Sequence, residues 1–321
     1  RFLLQKGARV VIMSHRGRSK SLETVKPLAT LHSRVFQRKV VFFPDFHFAK
    51  IKTGIGDSEA RIFLLENLRH EKGEEEDSRL FARRLASLGD LYVNDALGVS
   101  HRSHASVEAI TQFIPSMAGL LLEKEVKNLE KIRQKTAHPF VVILGGAKTS
   151  DKIGVIENLG KKADFFLLGG GVANTFLAAL GLPVGDSVYE EGMVPIVQKL
   201  QSQNSKLQIQ LPKDTIVYNR KILDIGPETV KEYSKIIKSA RQIIWNGPMG
   251  QIEDQRFRKG TEGVARAIAG SKAFSVVGGG ETGNFVTEMG FEKKVSFLST
   301  GGGAMLEYLA GKKLPGIEAL K

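Results

Sequence analysis

Apolar runs of five to seven residues recur along this chain and alternate with stretches whose apolar residues return at helical spacing. In the first half the runs are "ARVVIMS" (8–14), "KVVFFPD" (39–45), "RIFLLEN" (61–67) and "DLYVNDA" (90–96). In the second half they are "FVVILGG" (140–146), "FFLLGGG" (165–171), "LQIQLP" (207–212), "QIIWNGP" (242–248), "FSVVGGG" (274–280) and "VSFLSTGGG" (295–303). Near-continuous apolar runs are the mark of strands covered on both faces, as in parallel sheets. Between them lie helical patterns such as "SLETVKPLATLHSRV", "DSRLFARRLASLG", "YEEGMVPIVQKLQSQ" and "GPETVKEYSKIIKSA". Between the halves, "AGLLLEKEVKNLEKIRQKTAHP" repeats Leu121, Leu122, Val126, Leu129 and Ile132 at helical spacing, and Pro139 follows its end. The expected fold class is α/β: two doubly wound parallel-sheet domains joined by a central helix. The first domain is expected over 1–118, the interdomain helix over 119–134 and the second domain over 135–305.

Length and composition agree with two domains. The chain has 321 residues, more than one ordinary core accommodates, with 42% hydrophobic and 25% charged residues. No apolar run approaches the roughly 20 residues needed to span a bilayer, and no signal-peptide pattern opens the chain. The absence of Cys excludes disulfides and thiolate metal sites, and fits a cytoplasmic protein. The net charge of +13 fits either a nucleic-acid partner or an acidic substrate with a solvated basic surface. Lys and Arg are spread along the chain without blocks, which favours the second reading.

Four of the second-half strands run into glycines and then a helix: "VVILGGAKTSDK", "FFLLGGGVANTF", "FSVVGGGETGNF" and "VSFLSTGGGAMLEYL". A single such turn usually reflects helix–strand packing. Four at the carboxyl edge of one parallel sheet predict a floor where backbone approaches an anionic ligand. "GGGETG" (278–283) matches a dinucleotide fingerprint by count, but the next strand does not end near the acidic residue that would hold a ribose. No phosphate-loop motif with its Gly-Lys-Ser/Thr ending occurs either. Lys148 and Lys152, four apart on the expected opening helix, suit a polyphosphate.

The first-half strands end in basic clusters instead: His15, Arg16 and Arg18; Arg69 and His70; His101, Arg102 and His104. Clusters at three strand ends predict one strongly positive site for a small, multiply anionic ligand.

"MSHRGR", "LLENLRH", "YVNDALGVSHRSHAS", "ILGGAKTSDKI", "LLGGGVANTFL", "IWNGPMG", "VVGGGET", "STGGGAMLEYL" and "KKLPGIEAL" stand in this order over nearly the whole chain. Together they resemble phosphoglycerate kinase. The resemblance implies reversible phosphoryl transfer between 1,3-bisphosphoglycerate with ADP and 3-phosphoglycerate with ATP, a step of glycolysis, with Mg2+ as cofactor. It implies small-molecule substrates, a monomer, and neither nucleic-acid nor membrane partners. The segment 306–321 would return to the first domain. His15, Arg16, Gly17, Arg18, Arg69, His101 and Arg102 would bind the phosphoglycerate. Gly146, Lys148, Lys152, Gly170, Gly171, Gly226, Asn246, Pro248, Glu253, Gly279, Gly280, Glu281 and Thr282 would bind the nucleotide, with Glu281 serving the metal. Lys148, Gly280 and Gly303 would act on the phosphoryl group in flight. Phosphoryl transfer needs alignment and positive charge and little covalent help. Closure of the two domains about the joining helix and the stretch near Gly226 would exclude water.

Three departures from the family pattern stand out. The chain opens at Arg1 within a helix-like stretch, without the family's preceding strand and helix, its Asp-x-Asn pair and an arginine; further upstream residues are expected. Without them transfer would be weakened by the loss of a cation, leaving a nucleotide binder as the alternative reading. The family's usual "GGGD" is here Gly278-Gly279-Gly280-Glu281, one methylene longer at the metal. "KDTIVYNRKILDIGPET" (213–229) is shorter than the family's usual segment there.

Overall fold

The computed structural model describes residues 1–17, 23–134, 136–203 and 208–321. Its chain divides by contacts into two units: 1–94 with 102–119 and 315–321, and 95–101 with 120–314. This division differs from the expected boundaries in three places. Residues 95–101 and 306–314 group with the second unit, and so does the whole of the joining helix.

In the first unit β1 (Val10–Ile12), β2 (Val40–Phe43) and β3 (Ile62–Leu65) form a parallel sheet of order β1-β3-β2. β4 (Tyr92–Asn94) pairs in parallel with β5 (Ser116–Ala118) in a separate two-stranded sheet. Among the described residues the strands of this unit thus fall into one set of three and one of two. The central strand β3 is buried at every position, whereas its neighbours are half-buried. The helices of residues 1–94 are α1 (Phe2–Gln5), α2 (Lys26–Phe36), α3 (Phe48–Gly56), α4 (Lys72–Glu75) and α5 (Arg79–Ala86). Ile51, Leu65, Phe81, Leu85 and Ile110 form the core, and Phe46 meets Phe81 edge-on with ring centres 5.6 Å apart. Leu320 packs on this core, and Asn94 donates to the carbonyl of Gly316 at 3.1 Å.

In the second unit the joining helix is α6 (Leu120–Gln134). β6 (Phe140–Leu144), β7 (Phe165–Leu168), β8 (Ile209–Gln210), β11 (Gln242–Asn246), β12 (Phe274–Gly278) and β13 (Phe297–Ser299) form one parallel sheet of order β13-β12-β11-β6-β7-β8. Its helices are α7 (Ile153–Leu159), α8 (Gly170–Ala179), α9 (Val194–Gln203), α10 (Pro227–Ser239), α11 (Lys259–Ala269), α12 (Gly280–Glu288) and α13 (Gly303–Leu309). Strands β6 and β11 are buried throughout, and Trp245 is the largest wholly buried side chain. From β6 the chain steps outward through β7 to β8, then resumes on the other side through β11 to β13. The strand order therefore reverses between β6 and β11, and a crevice outside the carboxyl ends of two such strands is where open parallel sheets hold ligands.

An antiparallel hairpin interrupts the pattern: β9 (Thr215–Tyr218) and β10 (Lys221–Ile225), with a bulge between Ile222 and Asp224. Its turn residues Asn219 and Arg220 both have positive φ, 47° and 62°, as the tightest hairpins require.

Candidate functional site

The switch point between β6 and β11 is built from glycine. The N–H of Gly145 donates to the Asn246 carbonyl at 2.9 Å, that of Gly146 to Pro248 at 2.8 Å, and that of Gly170 to Met249 at 2.9 Å. A Cβ on Gly145 would strike the Pro248 carbonyl, and one on Gly247 the Gly145 carbonyl; one on Gly171 would stand 2.6 Å from the Ala147 carbonyl. These glycines exist so that three strand ends can pack on one another. Gly280 and Gly303 are different: a Cβ on either would meet nothing within 4 Å. Within the last turn, Gly301 packs against Leu97, Gly302 takes φ +51°, and Gly303 faces open space at the start of α13.

Lys148 and Lys152 do not share a helical face as expected, because α7 begins only at Ile153. Both lie in the turn before it. Lys148 is exposed, whereas Lys152 is 8% exposed, with Nζ 3.9 Å from the Cβ position of Gly146. Burial lowers the Lys152 pKa, and the nearby Lys148 charge adds to this; Asp151, Glu281 and Glu190 oppose it. A bound phosphate would favour the charged form. Glu190 shapes this turn by accepting from the Ser150 N–H at 2.7 Å and hydroxyl at 2.8 Å. Partial burial raises its pKa, but these bonds and Lys148 outweigh that and hold it below the usual range.

Asn246 donates its amide to the Gly278 carbonyl at 3.0 Å, and the Thr282 hydroxyl accepts from the Gly247 N–H at 2.9 Å. Both are buried ties between strand ends. Gly279, with φ +103°, lies over the Asn246 amide. Glu281 is exposed in the first turn of α12, and Glu253 is exposed on the turn after Gly250. Gly226 caps α10, and a Cβ there would collide with Asp214, which accepts from Thr229 N–H at 2.8 Å and Glu228 N–H at 3.0 Å. Among the described residues no group of three or more His, Asp or Glu could hold a metal ion by itself.

In the first unit Arg69, Arg102 and His104 come within electrostatic reach of His15. Burial, then Arg69, Arg102 and His104, lower the His15 pKa from 6.5 to about 4. Arg69 is only 9% exposed; it donates to the Gly17 carbonyl at 2.5 Å and pairs with Glu75 at 3.2 Å. Asn67 donates to the carbonyls of Arg16 (2.6 Å) and Glu23 (2.7 Å), clasping the loop that follows β1. Arg16 turns to the surface and pairs with Glu23 at 2.7 Å. Arg18 lies outside the described residues. His101 groups with the second unit.

Sequence reasoning missed Glu125. It lies on α6, wholly buried, and accepts from the Ser299 hydroxyl (2.7 Å), the Thr300 N–H (2.6 Å) and the Thr300 hydroxyl (2.9 Å). It thereby fixes the start of the last glycine turn. A glutamate aligned on the apolar face of α6, between Leu122 and Leu129, was the available signal.

Residues 1–312 match the family model described as phosphoglycerate kinase. The chain belongs to the phosphoglycerate kinase family. It is 43% identical to the phosphoglycerate kinase of Thermomicrobium roseum and 42% identical to that of Moorella thermoacetica, each over 99% of this chain and 88% of the relative. The solved phosphoglycerate kinase of Pyrococcus horikoshii OT3 superposes with a TM-score of 0.89 at 31% identity, and that of Coxiella burnetii with 0.80 at 34%. Each covers 99% of this chain and 88% of the solved one. The function is accordingly that of a phosphoglycerate kinase, an ATP-binding phosphotransferase of glycolysis. None of the described helices is long and apolar enough to cross a membrane.

Proposed function

We propose that the second unit binds ADP or ATP and the first binds 3-phosphoglycerate or 1,3-bisphosphoglycerate, with the phosphoryl group passing reversibly between them. The observation that carries this assignment is the buried Lys152 ammonium beside Gly146, at the reversal of strand order in the second sheet. A cation withheld from water at that crevice is poised for a polyphosphate. Lys148, exposed on the same turn, would stabilise the equatorial oxygens of the moving phosphoryl group. The open backbone at Gly280 and Gly303 would let those oxygens approach N–H groups. Gly170, Gly171 and Gly226 would border the base, and Glu253 the ribose. Asn246, Pro248 and Thr282 would act by holding the strand ends in place.

Glu281 fits a magnesium ion. It is an exposed carboxylate within electrostatic reach of Lys152, and magnesium is commonly held by one or two carboxylates together with substrate phosphates and waters. When bound, the ion supplies charge that neutralises the phosphate oxygens. In the first unit His15, Arg69 and Arg102 would receive the phosphoglycerate, with Gly17 and the neighbouring arginines completing the loop. A cytoplasmic setting and a monomeric state belong to the same proposal.

The test is ATP-dependent phosphorylation of 3-phosphoglycerate in a coupled assay. Lys148→Ala is expected to lower kcat by about 10²–10³-fold, as loss of one preorganised charge at a transition state does. Undiminished turnover would overturn its role.

A further inference from the structure

The second unit holds a buried carboxylate that the assignments above leave unused. Asp224 is the penultimate residue of the hairpin strand β10 and is 2% exposed. Its Oδ1 accepts from the Ile225 N–H at 2.9 Å, and its Oδ2 from the Gly260 N–H at 2.7 Å. No cation is within ion-pairing distance of it among the described residues. Two glycines press on it from different segments: a Cβ on either Gly250 or Gly260 would collide with its carboxylate. Three pieces of chain therefore converge on this one side chain: β10, the loop after β11, and the start of α11.

The loop after β11 is the one that closes on the glycine turns. The Met249 N–H donates to the Thr261 hydroxyl at 3.0 Å, one residue beyond the Gly260 that Asp224 holds. The Gln251 N–H donates to the Leu223 carbonyl at 2.8 Å, one residue before Asp224. On its other side the same loop offers the Pro248 carbonyl to Gly146 and the Met249 carbonyl to Gly170. A continuous path of hydrogen bonds and the chain links between them thus runs from Asp224 through Gly260, Thr261 and Met249 to the glycines at the strand-order reversal.

We infer that Asp224 is a positioning residue of the nucleotide site, setting the height of the Gly247–Gly250 loop over Gly146 and Gly170. This rests on the nucleotide reading of that crevice. The chemistry requires a carboxyl group. Ionised or protonated, it keeps a lone pair toward each of the two N–H groups, whereas an amide must turn its own NH2 on one of them. Burial pushes the Asp224 carboxyl up to about 7, against the pull of those two N–H groups and with some help from Glu262.

The test uses the full chain. ADP affinity is measured by calorimetry, and the KM values for ATP and for 3-phosphoglycerate separately, in the wild type, Asp224→Asn, Asp224→Ala and Lys152→Ala. Asp224→Asn is expected to weaken ADP binding and raise the KM for ATP about tenfold, the size of one spoiled buried hydrogen bond. The KM for 3-phosphoglycerate should stay within about twofold, because that ligand is assigned to the other unit. A purely structural role would lower the thermal midpoint and the active fraction and leave both KM values alone; that result overturns the inference. If neither Asp224 variant folds, Thr261→Val cuts the same chain of bonds one step on. A nucleotide-selective loss there supports the inference, and its absence overturns it. If Lys152→Ala weakens ADP binding but Asp224→Asn does not, the inference alone fails. If Lys152→Ala is also silent, the nucleotide assignment fails with it.

Discussion

Removal of the Glu125 carboxylate should loosen the last glycine turn from the helix that supports it. In Glu125→Ala the Thr300 N–H loses its acceptor, the wholly buried Glu125 carboxylate, which costs about 1–3 kcal/mol. The hydroxyls of Ser299 and Thr300 lose theirs as well, at about 1 kcal/mol each after reorientation. The sum is on the order of 3–5 kcal/mol. Glu125→Gln should cost only about 1 kcal/mol, since its carbonyl can face Thr300 and the Ser299 hydroxyl can rotate to accept from the new amide. The readout is built in: the chain's single tryptophan, Trp245, is wholly buried in this unit, so its fluorescence follows urea unfolding of the second unit alone. Turnover should fall with the same ranking, because Gly303 follows three residues after Thr300. An alanine variant within about 1 kcal/mol of wild type, or one equal to the glutamine variant, would refute the reasoning.

Other outcomes are as specific. The folded chain favours neutral His15, so the unfolded chain binds more protons between pH 6.5 and about 4; the stability that His15 contributes is complete above 6.5 and lost as pH falls toward 4. Anionic 3-phosphoglycerate should raise that pKa, and its binding at about pH 5.5 should take up a proton, seen as different calorimetric heats in two buffers of unlike ionisation enthalpy; equal heats would contradict its place in the site. Gly302→Ala should destabilise by about 1–3 kcal/mol, because φ +51° strains an L-residue. Gly303→Ala meets open space and should leave the urea midpoint unchanged while lowering kcat, so unaltered turnover would remove Gly303 from the phosphoryl path.

The strands that build both units were legible because burial on two faces writes them as unbroken apolar runs. β6, β7, β11 and β12 lie within the expected segments. The hairpin β9–β10 was not, since its tight turn uses Asn219-Arg220 with no glycine to announce positive φ. α3 was missed because "FAKIKTGIG" carries two glycines within nine residues. The glycine turns were legible as a group, but not the division of labour within it. Which glycines also make room for neighbouring backbone depends on what stands where the Cβ would be, as at Gly145, Gly171 and Gly247. Buried carboxylates such as Glu125 and Asp224 stayed hidden for a related reason. Their partners are N–H groups and hydroxyls brought together by tertiary packing, at sequence distances of 174 residues in one case and 36 in the other.

The most direct measurement is paired calorimetry of ADP and 3-phosphoglycerate on Lys152→Ala and Arg102→Ala. With one ligand on each unit, Lys152→Ala should weaken ADP binding and spare 3-phosphoglycerate, and Arg102→Ala should do the reverse. Equal weakening of both ligands by either variant, or loss of the opposite one, would contradict that division.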